Sequence, residues 1–285
     1  MANPLPMGTS ASESRIAVVI PCWNDGATLG DALASIRELE PIEVVVVDDG
    51  STDPATLDVL DDVAGDGVRV VRQPNGGPAA AVQRGFDETS APFVLRLDAD
   101  DLLEPGVLGV MADAVSAGEG IGFAYGDFAF FGDASGVWRP PPFDAWIAMY
   151  GNFWSPTCMF RRSALVESGR LQPGWKSEDW RILIMLAEHG YAGVHCGRLV
   201  YRRRLVHGRM QSDYTRNHRS IYRQMQRDHA GYFSRRREFQ RACRPALWRR
   251  ALYPLFLGPR YALPEPVYRV AVRGKLWLGS RSAAV

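Results

Sequence analysis

The chain has few cysteines and none of the pairings that would make them structural. Cys22, Cys158, Cys196 and Cys243 are widely scattered and form no CxxC pair. That argues against a disulfide framework or a zinc site and fits a reducing compartment. No apolar run approaches the roughly 18 residues that suggest a membrane-spanning helix. The opening segment lacks the basic start and apolar core of a signal peptide, so residues 1–13 read as a flexible N-terminal tail. Internal repeats and low-complexity stretches are also missing. These absences point to a cytoplasmic protein, either soluble or peripheral on the inner face of the cell membrane.

What is present describes a folded enzyme-sized chain. Its 285 residues are 46% hydrophobic and 23% charged, an ordinary globular composition with enough length to bury a large core. The net charge of +1 conceals an asymmetry. Residues 1–200 carry 13 Lys/Arg and 28 Asp/Glu, whereas residues 201–285 carry 20 and 4. Such a split predicts two zones of different function.

Strand-like and helix-like patterns alternate over the first 130 residues or so. The runs Arg15–Pro21 and Ile42–Val47 are nearly continuous apolar stretches, as expected of strands buried on both faces. Val68–Arg72 and Phe93–Leu97 continue the series. Between them lie helical patterns: one capped by Thr28, one opened by Pro54, one over Pro78–Glu88, and one over Pro105–Ala117. This alternation predicts an α/β fold, a mostly parallel sheet with helices on both faces. Beyond residue 120 the chain turns aromatic and less regular. A helix is expected from Glu178, short strands near Ala192–His195 and Leu199–Arg203, and a long Arg-rich helix over residues 213–243. The expected division is a regular α/β half over 14–118, an irregular aromatic half over 119–212, and a basic helical C-terminal extension over 213–285.

Ligands of parallel sheets sit at the carboxyl ends of the strands. Three polar clusters fall there: Pro21 to Asn24, Asp48 to Ser51, and Asp98 to Asp101. In extended backbone, residues i and i+2 point the same way, so Asp98 and Asp100 can both face one hard divalent ion such as Mn²⁺ or Mg²⁺. A plain Asp-rich turn is the other reading of that segment. Asp48-Asp49-Gly50-Ser51 can be a turn or a nucleotide contact, since a strand-end carboxylate accepts hydrogen bonds from base or ribose. Glu178 and Asp179 can simply complement a helix N-terminus.

Taken in order, these segments resemble the family 2 glycosyltransferases. Val18–Asp25 is similar to that family's first strand and loop, and Val45–Asp53 to its second-strand motif. Asn75–Ala81 and Asp98–Asp101 resemble its third and fourth landmarks, and Glu178-Asp179-Trp180 its acidic catalytic motif. The resemblance covers about residues 14–212 and implies a catalytic domain there, with 14–118 as its nucleotide-binding half and 119–212 as its acceptor-binding half. It implies an A-type glycosyltransferase fold and an inverting single displacement from a nucleotide-diphosphate sugar. Carried over by position, Pro21, Asn24, Asp49, Gly77 and Asp98 bind the nucleotide sugar, with Asp49 at the base. Asp98 and Asp100 hold the metal, and Asp179 is the general base. Tyr201–Arg204 with His207 resembles the closing segment, where a basic residue or histidine approaches diphosphate or metal. The processive Gln-x-x-Arg-Trp pattern is absent after Trp180, which favours transfer of a single sugar.

The implied partners are a nucleotide-diphosphate sugar and a glycan or lipid-linked glycan acceptor, in cell-envelope polysaccharide or glycolipid synthesis. Asn152, Trp154, Trp175 and Trp180 are candidate acceptor contacts. The arginines of the C-terminal region sit among Trp248, Tyr253, Phe256, Tyr261 and Trp277, which suits an anionic membrane surface. Packing or oligomerisation is the alternative there, and nucleic acid is not expected. Two rival functions are a same-fold nucleotidyltransferase and a catalytically silent sugar-nucleotide-binding protein. The first would bring a Gly-rich basic phosphate loop where Cys22–Asp25 stands. The second would have no need of the acidic set.

Overall fold

The computed structural model describes residues 14–133, 135–206 and 211–243. The first elements follow the alternation: β1 (Ile16–Cys22), α1 (Gly26–Ala34), β2 (Ile42–Asp48), α2 (Pro54–Gly65), β3 (Arg69–Arg72), α3 (Pro78–Glu88) and β4 (Phe93–Arg96). Helix α1 begins two residues before Thr28, with Asp25 at its N-cap position. The reason is packing: the Gly26 amide donates to Thr56 Oγ1 at 3.1 Å, drawing the start of α1 onto α2. Helix α2 starts where Pro54 fixes the first turn, and Asp53 caps it by accepting from the Thr56 amide at 3.1 Å.

The remaining elements are β5 (Leu102–Leu103), α4 (Val107–Ser116), β6 (Ile121–Gly132), β7 (Gly136–Trp138), α5 (Ala145–Ala148), β8 (Met159–Arg161), α6 (Arg162–Ser168), α7 (Glu178–Glu188) and β9 (Ala192–Leu205). Helices α8 (Gln211–Asp228), α9 (Ala230–Ser234) and α10 (Arg236–Ala242) follow. One sheet runs in the order β3-β2-β1-β4-β8-β6-β9-β5, with β7 on β6. Strands β1 to β4 pair parallel, as the sequence predicts. The second half adds antiparallel pairings: β8 lies between β4 and β6 and runs against both.

Alternation along β1 divides the core. Ile16, Val18 and Ile20 face α1, α2 and α4, while Ala17 and Val19 face α3 and the aromatic layer around Trp146 and α7. Both faces of the sheet are therefore covered, which is why β1 and β2 are apolar almost throughout.

Two expectations are revised in detail. The two short strands near Ala192 and Leu199 are one strand, β9, whose pairing with β6 jumps from Tyr125↔His195 to Asp127↔Leu199. A bulge at residues 196–198, with Gly197 at φ +75°, hides its continuity in the sequence. The long helix over 213–243 is three helices, interrupted at His229 and Arg235. Their apolar side chains Ile221, Tyr222, Met225 and Tyr232 are buried in the same core as α5 and α7. Burial against α7 outweighs the propensity for one continuous solvated helix. Residues 1–13, His207 and residues 244–285 lie outside the described residues.

Candidate active site

Three loops meet at the carboxyl edge of the parallel strands. Asn24, at the end of β1, adopts φ +55°, an uncommon conformation for a non-glycine residue. Its Oδ1 accepts from the amides of Thr52 (2.8 Å) and Asp53 (3.0 Å), and its own amide donates to Ser51 Oγ (3.1 Å). Asn24 thereby clamps the β1 loop to the β2 loop. Its neighbour Trp23 is 53% exposed on that loop, and Pro21 pairs in register with Val47.

Asp49 performs the next clamp. Its buried carboxylate accepts from Gln73 Nε2 (2.7 Å) and the Gly76 amide (2.9 Å) on one oxygen, and from the Gly77 amide (2.8 Å) on the other. Two glycines make this approach possible. Gly50, at φ +71°, would drive a Cβ to 2.6 Å from the Asn75 nitrogen, and Gly77 turns into α3 at φ +82°. Asp49 thus organises the Asn75–Gly77 loop, a role that composition alone does not reveal.

The acidic loop follows β4. The strand stops at Arg96, and Asp98–Asp101 form a turn closed by the Asp101 amide donating to the Asp98 carbonyl at 3.1 Å. The extended geometry expected for Asp98 and Asp100 is therefore replaced by a turn. Both remain partly exposed at the strand end. Asp101 is buried, and its Oδ1 accepts the Arg204 amide at 2.9 Å. Burial pushes the Asp101 carboxyl well above its ordinary value, Asp98 adds to the shift, and Arg203 opposes it. Arg204 also donates to the Asp100 carbonyl at 3.1 Å and lies over the Phe131 ring at 4.6 Å. The end of β9 consequently holds the acidic loop from behind. Arg203 faces the same acids: burial works against its charge, but Tyr201, Asp101, Asp98 and Asp179 together raise its pKa.

Helix α7 brings the last acidic pair. Ser177 precedes it at φ +55° and makes no side-chain capping hydrogen bond, although its carbonyl accepts the Arg181 amide at 3.0 Å. Glu178 is buried and bonded to Arg96 at 2.5 Å; burial raises its carboxyl despite that partner. Asp179 is partly exposed, with Oδ2 accepting from Asn152 Nδ2 at 2.7 Å and Oδ1 from the Trp180 amide at 2.8 Å. Asn152 is thus drawn to Asp179. Trp154 and Trp180, expected at the acceptor, are core residues instead. Their ring nitrogens donate to the carbonyls of Pro141 and Ala148, and Trp180 stacks on His218. Two-sided burial of α7 and of the 153–160 segment explains this. Trp175 is half-buried beneath the Arg181 guanidinium, 4.3 Å from its ring.

Sequence reasoning passed over Trp23, Arg96 and Gln73. An aromatic directly before the Asn24 clamp was a signal for the first; the other two act through long-range contacts with no local pattern.

A strand-end site of this build on a curled mixed sheet defines an A-type glycosyltransferase fold. Residues 17–167 match the family described as Glycosyl transferase family 2, and the chain belongs to that family. The succinoglycan biosynthesis protein ExoU of Rhizobium meliloti is 40% identical over 105 residues, 35% of this chain and 30% of that protein. An N-acetylglucosaminyltransferase of Azorhizobium caulinodans is 26% identical over 205 residues, 62% of this chain and 51% of its own length. These matches span at most about half of the relatives concerned. S. aureus TarS 1-349, solved with UDP-GlcNAc, superposes with TM-score 0.63 at 19% identity, over 94% of this chain and 82% of that one. Mannosyltransferase PcManGT of Pyrobaculum calidifontis, solved with GDP-Man and Mn²⁺, gives 0.56 at 17%, over 100% and 79%. Family membership sets aside the nucleotidyltransferase reading. Among the described residues no helix is long and apolar enough to cross a membrane.

Proposed function

We propose that this glycosyltransferase moves a single sugar from a nucleotide-diphosphate donor to a hydroxyl acceptor with inversion, in cell-envelope polysaccharide or glycolipid synthesis. The observation that carries this reading is one buried guanidinium, Arg96, that pairs with Asp98 of the acidic loop and with Glu178, the neighbour of Asp179 at the start of α7. In this reading a donor-side acid and an acceptor-side acid serve one reacting centre, as a single in-line displacement requires. That TarS and PcManGT were solved with nucleotide sugars supports a donor of this class, and ExoU supports a polysaccharide context.

In this reading Pro21, Asn24, Asp49 and Gly77 form the nucleoside end. Asn24 and Asp49 do so by fixing the loops, and Trp23 offers an exposed ring for the base. Asp179, oriented by Asn152, accepts the proton of the attacking hydroxyl while the diphosphate departs on the opposite side. Arg203 places positive charge beside the acids, where negative charge accumulates on the leaving group.

Asp100 with Asp98 would hold Mn²⁺ or Mg²⁺. Their carboxylates are hard donors on a partly exposed turn, and such ions take one or two carboxylates with phosphate oxygens completing the shell. No group of three or more ligating side chains forms among the described residues, and an all-protein cage is not needed for this mode. When bound, the ion neutralises charge on the leaving diphosphate.

The acceptor is read as a glycan or lipid-linked glycan, and the arginine-rich, aromatic sequence of the basic C-terminal extension (213–285) suits binding to an anionic membrane surface at the cytoplasmic face. Loss of vesicle binding at low salt by the folded full chain would remove that part of the reading. The donor assignment is tested by thermal shift with a panel of nucleotide sugars, with and without Mn²⁺. One donor should raise the melting temperature in a metal-dependent way; no shift with any of them contradicts the reading.

A further inference from the structure

Two acidic motifs 80 residues apart in sequence meet at one cation. Arg96 ends β4, and its Nε and NH2 both lie 2.8 Å from Asp98 Oδ1. Its NH1 lies 2.5 Å from Glu178 Oε1 at the start of α7. The Arg96 and Glu178 side chains are only 9% and 10% exposed. We propose that Arg96 is a positioning residue that sets the separation between the donor-side loop at Asp98 and the base carboxylate of Asp179. The inference rests on the roles given to those two acids above.

Three observations favour positioning over simple stabilisation. First, a buried ion pair adds little net stability, because desolvation of both partners offsets their attraction; its use lies in fixing geometry. Second, among the described residues the bond from Arg96 is a side-chain link between the β1–β4 strands and the entry to α7, while Asn152 holds Asp179 from the segment before β8. Ser177 sits at φ +55° without a side-chain cap, so the first turn carrying Glu178 and Asp179 is anchored to the sheet through the Arg96 contact. Third, the guanidinium is a rigid planar fork. One edge meets Asp98 while NH1 reaches Glu178, so the angle between the two acids is fixed by the group itself. Lysine is a point charge on a flexible stem and cannot hold both directions.

The test uses the full chain with the donor identified by thermal shift, in steady-state transfer. Arg96→Lys and Glu178→Gln are made singly and together, and melting temperatures confirm that each variant is folded. Misplacement predicts that Arg96→Lys lowers kcat by about 10- to 100-fold, with donor KM within about threefold of wild type. Glu178→Gln should behave similarly, and the double variant should be little worse than either single one, since the residues act as one unit. Unchanged kcat in folded Arg96→Lys overturns the proposal. So does a loss confined to donor KM, or strictly multiplicative losses in the double variant. If Arg96→Lys fails to fold, the same criteria apply to Glu178→Gln alone. Failure of the underlying reading looks different: the wild-type chain would transfer no sugar, or Asp179→Asn would be fully active.

Discussion

Asn152 holds Asp179. Its Nδ2 donates to Oδ2 of the carboxylate at 2.7 Å, while its own Oδ1 accepts the Trp154 amide at 2.9 Å. The second bond fixes the side-chain amide, so the donor points steadily at the carboxylate. Removing it in Asn152→Ala should lower kcat by about tenfold, the scale of a mispositioned base, with donor affinity unchanged. Steady-state kinetics and donor titration together check this; a loss in donor affinity alone would move Asn152 to the donor site.

Asp49 is expected to be structural as well as functional. Three donors converge on its buried carboxylate. Asp49→Ala leaves two backbone amides and one side-chain amide without their acceptor, a cost of about 2–4 kcal/mol. Urea denaturation should show that loss alongside the loss of donor binding. Wild-type stability with lost binding would mean that the carboxylate serves the nucleotide alone.

Trp23 makes the opposite prediction. Half-exposed, it contributes little to the core, so Trp23→Ala should change stability by no more than about 0.5 kcal/mol. Stacking on a base contributes about 1–3 kcal/mol, so donor affinity should fall roughly 5- to 150-fold. Equilibrium binding with the nucleotide diphosphate alone reads this directly.

His229 gives the fold a pH dependence. It is buried beside Glu188, Arg181 and Asp228, and burial first, then Arg181, lowers its pKa below the usual histidine value. The folded state therefore resists protonation that the unfolded chain accepts near pH 6.5. Its contribution is fully present above that pH and is lost as pH falls. Between pH 7.5 and 5.5 the wild-type melting temperature should drop more than that of His229→Gln; equal drops would remove the assignment.

Legibility in the sequence followed locality. Strands β1 and β2 and helix α3 were readable because each is buried on a regular period, and α3 begins at a proline and keeps its expected ends. The strand-end clusters were readable because turn residues punctuate apolar runs. Strand β8 was not, since three residues carry no period and its place between β4 and β6 is a long-range pairing. The link from Arg96 to Glu178 spans 82 residues and leaves no local trace. Trp154 and Trp180 misled because aromatic richness signals either a sugar platform or a core, and only packing distinguishes them.

The most direct test is transfer by Asp179→Asn with the donor that binds the wild-type protein. Asparagine keeps the size of the side chain and removes its capacity to accept the proton. Donor affinity should stay within about threefold of wild type while turnover falls at least about 100-fold. Turnover at the wild-type rate in the folded variant would contradict the account.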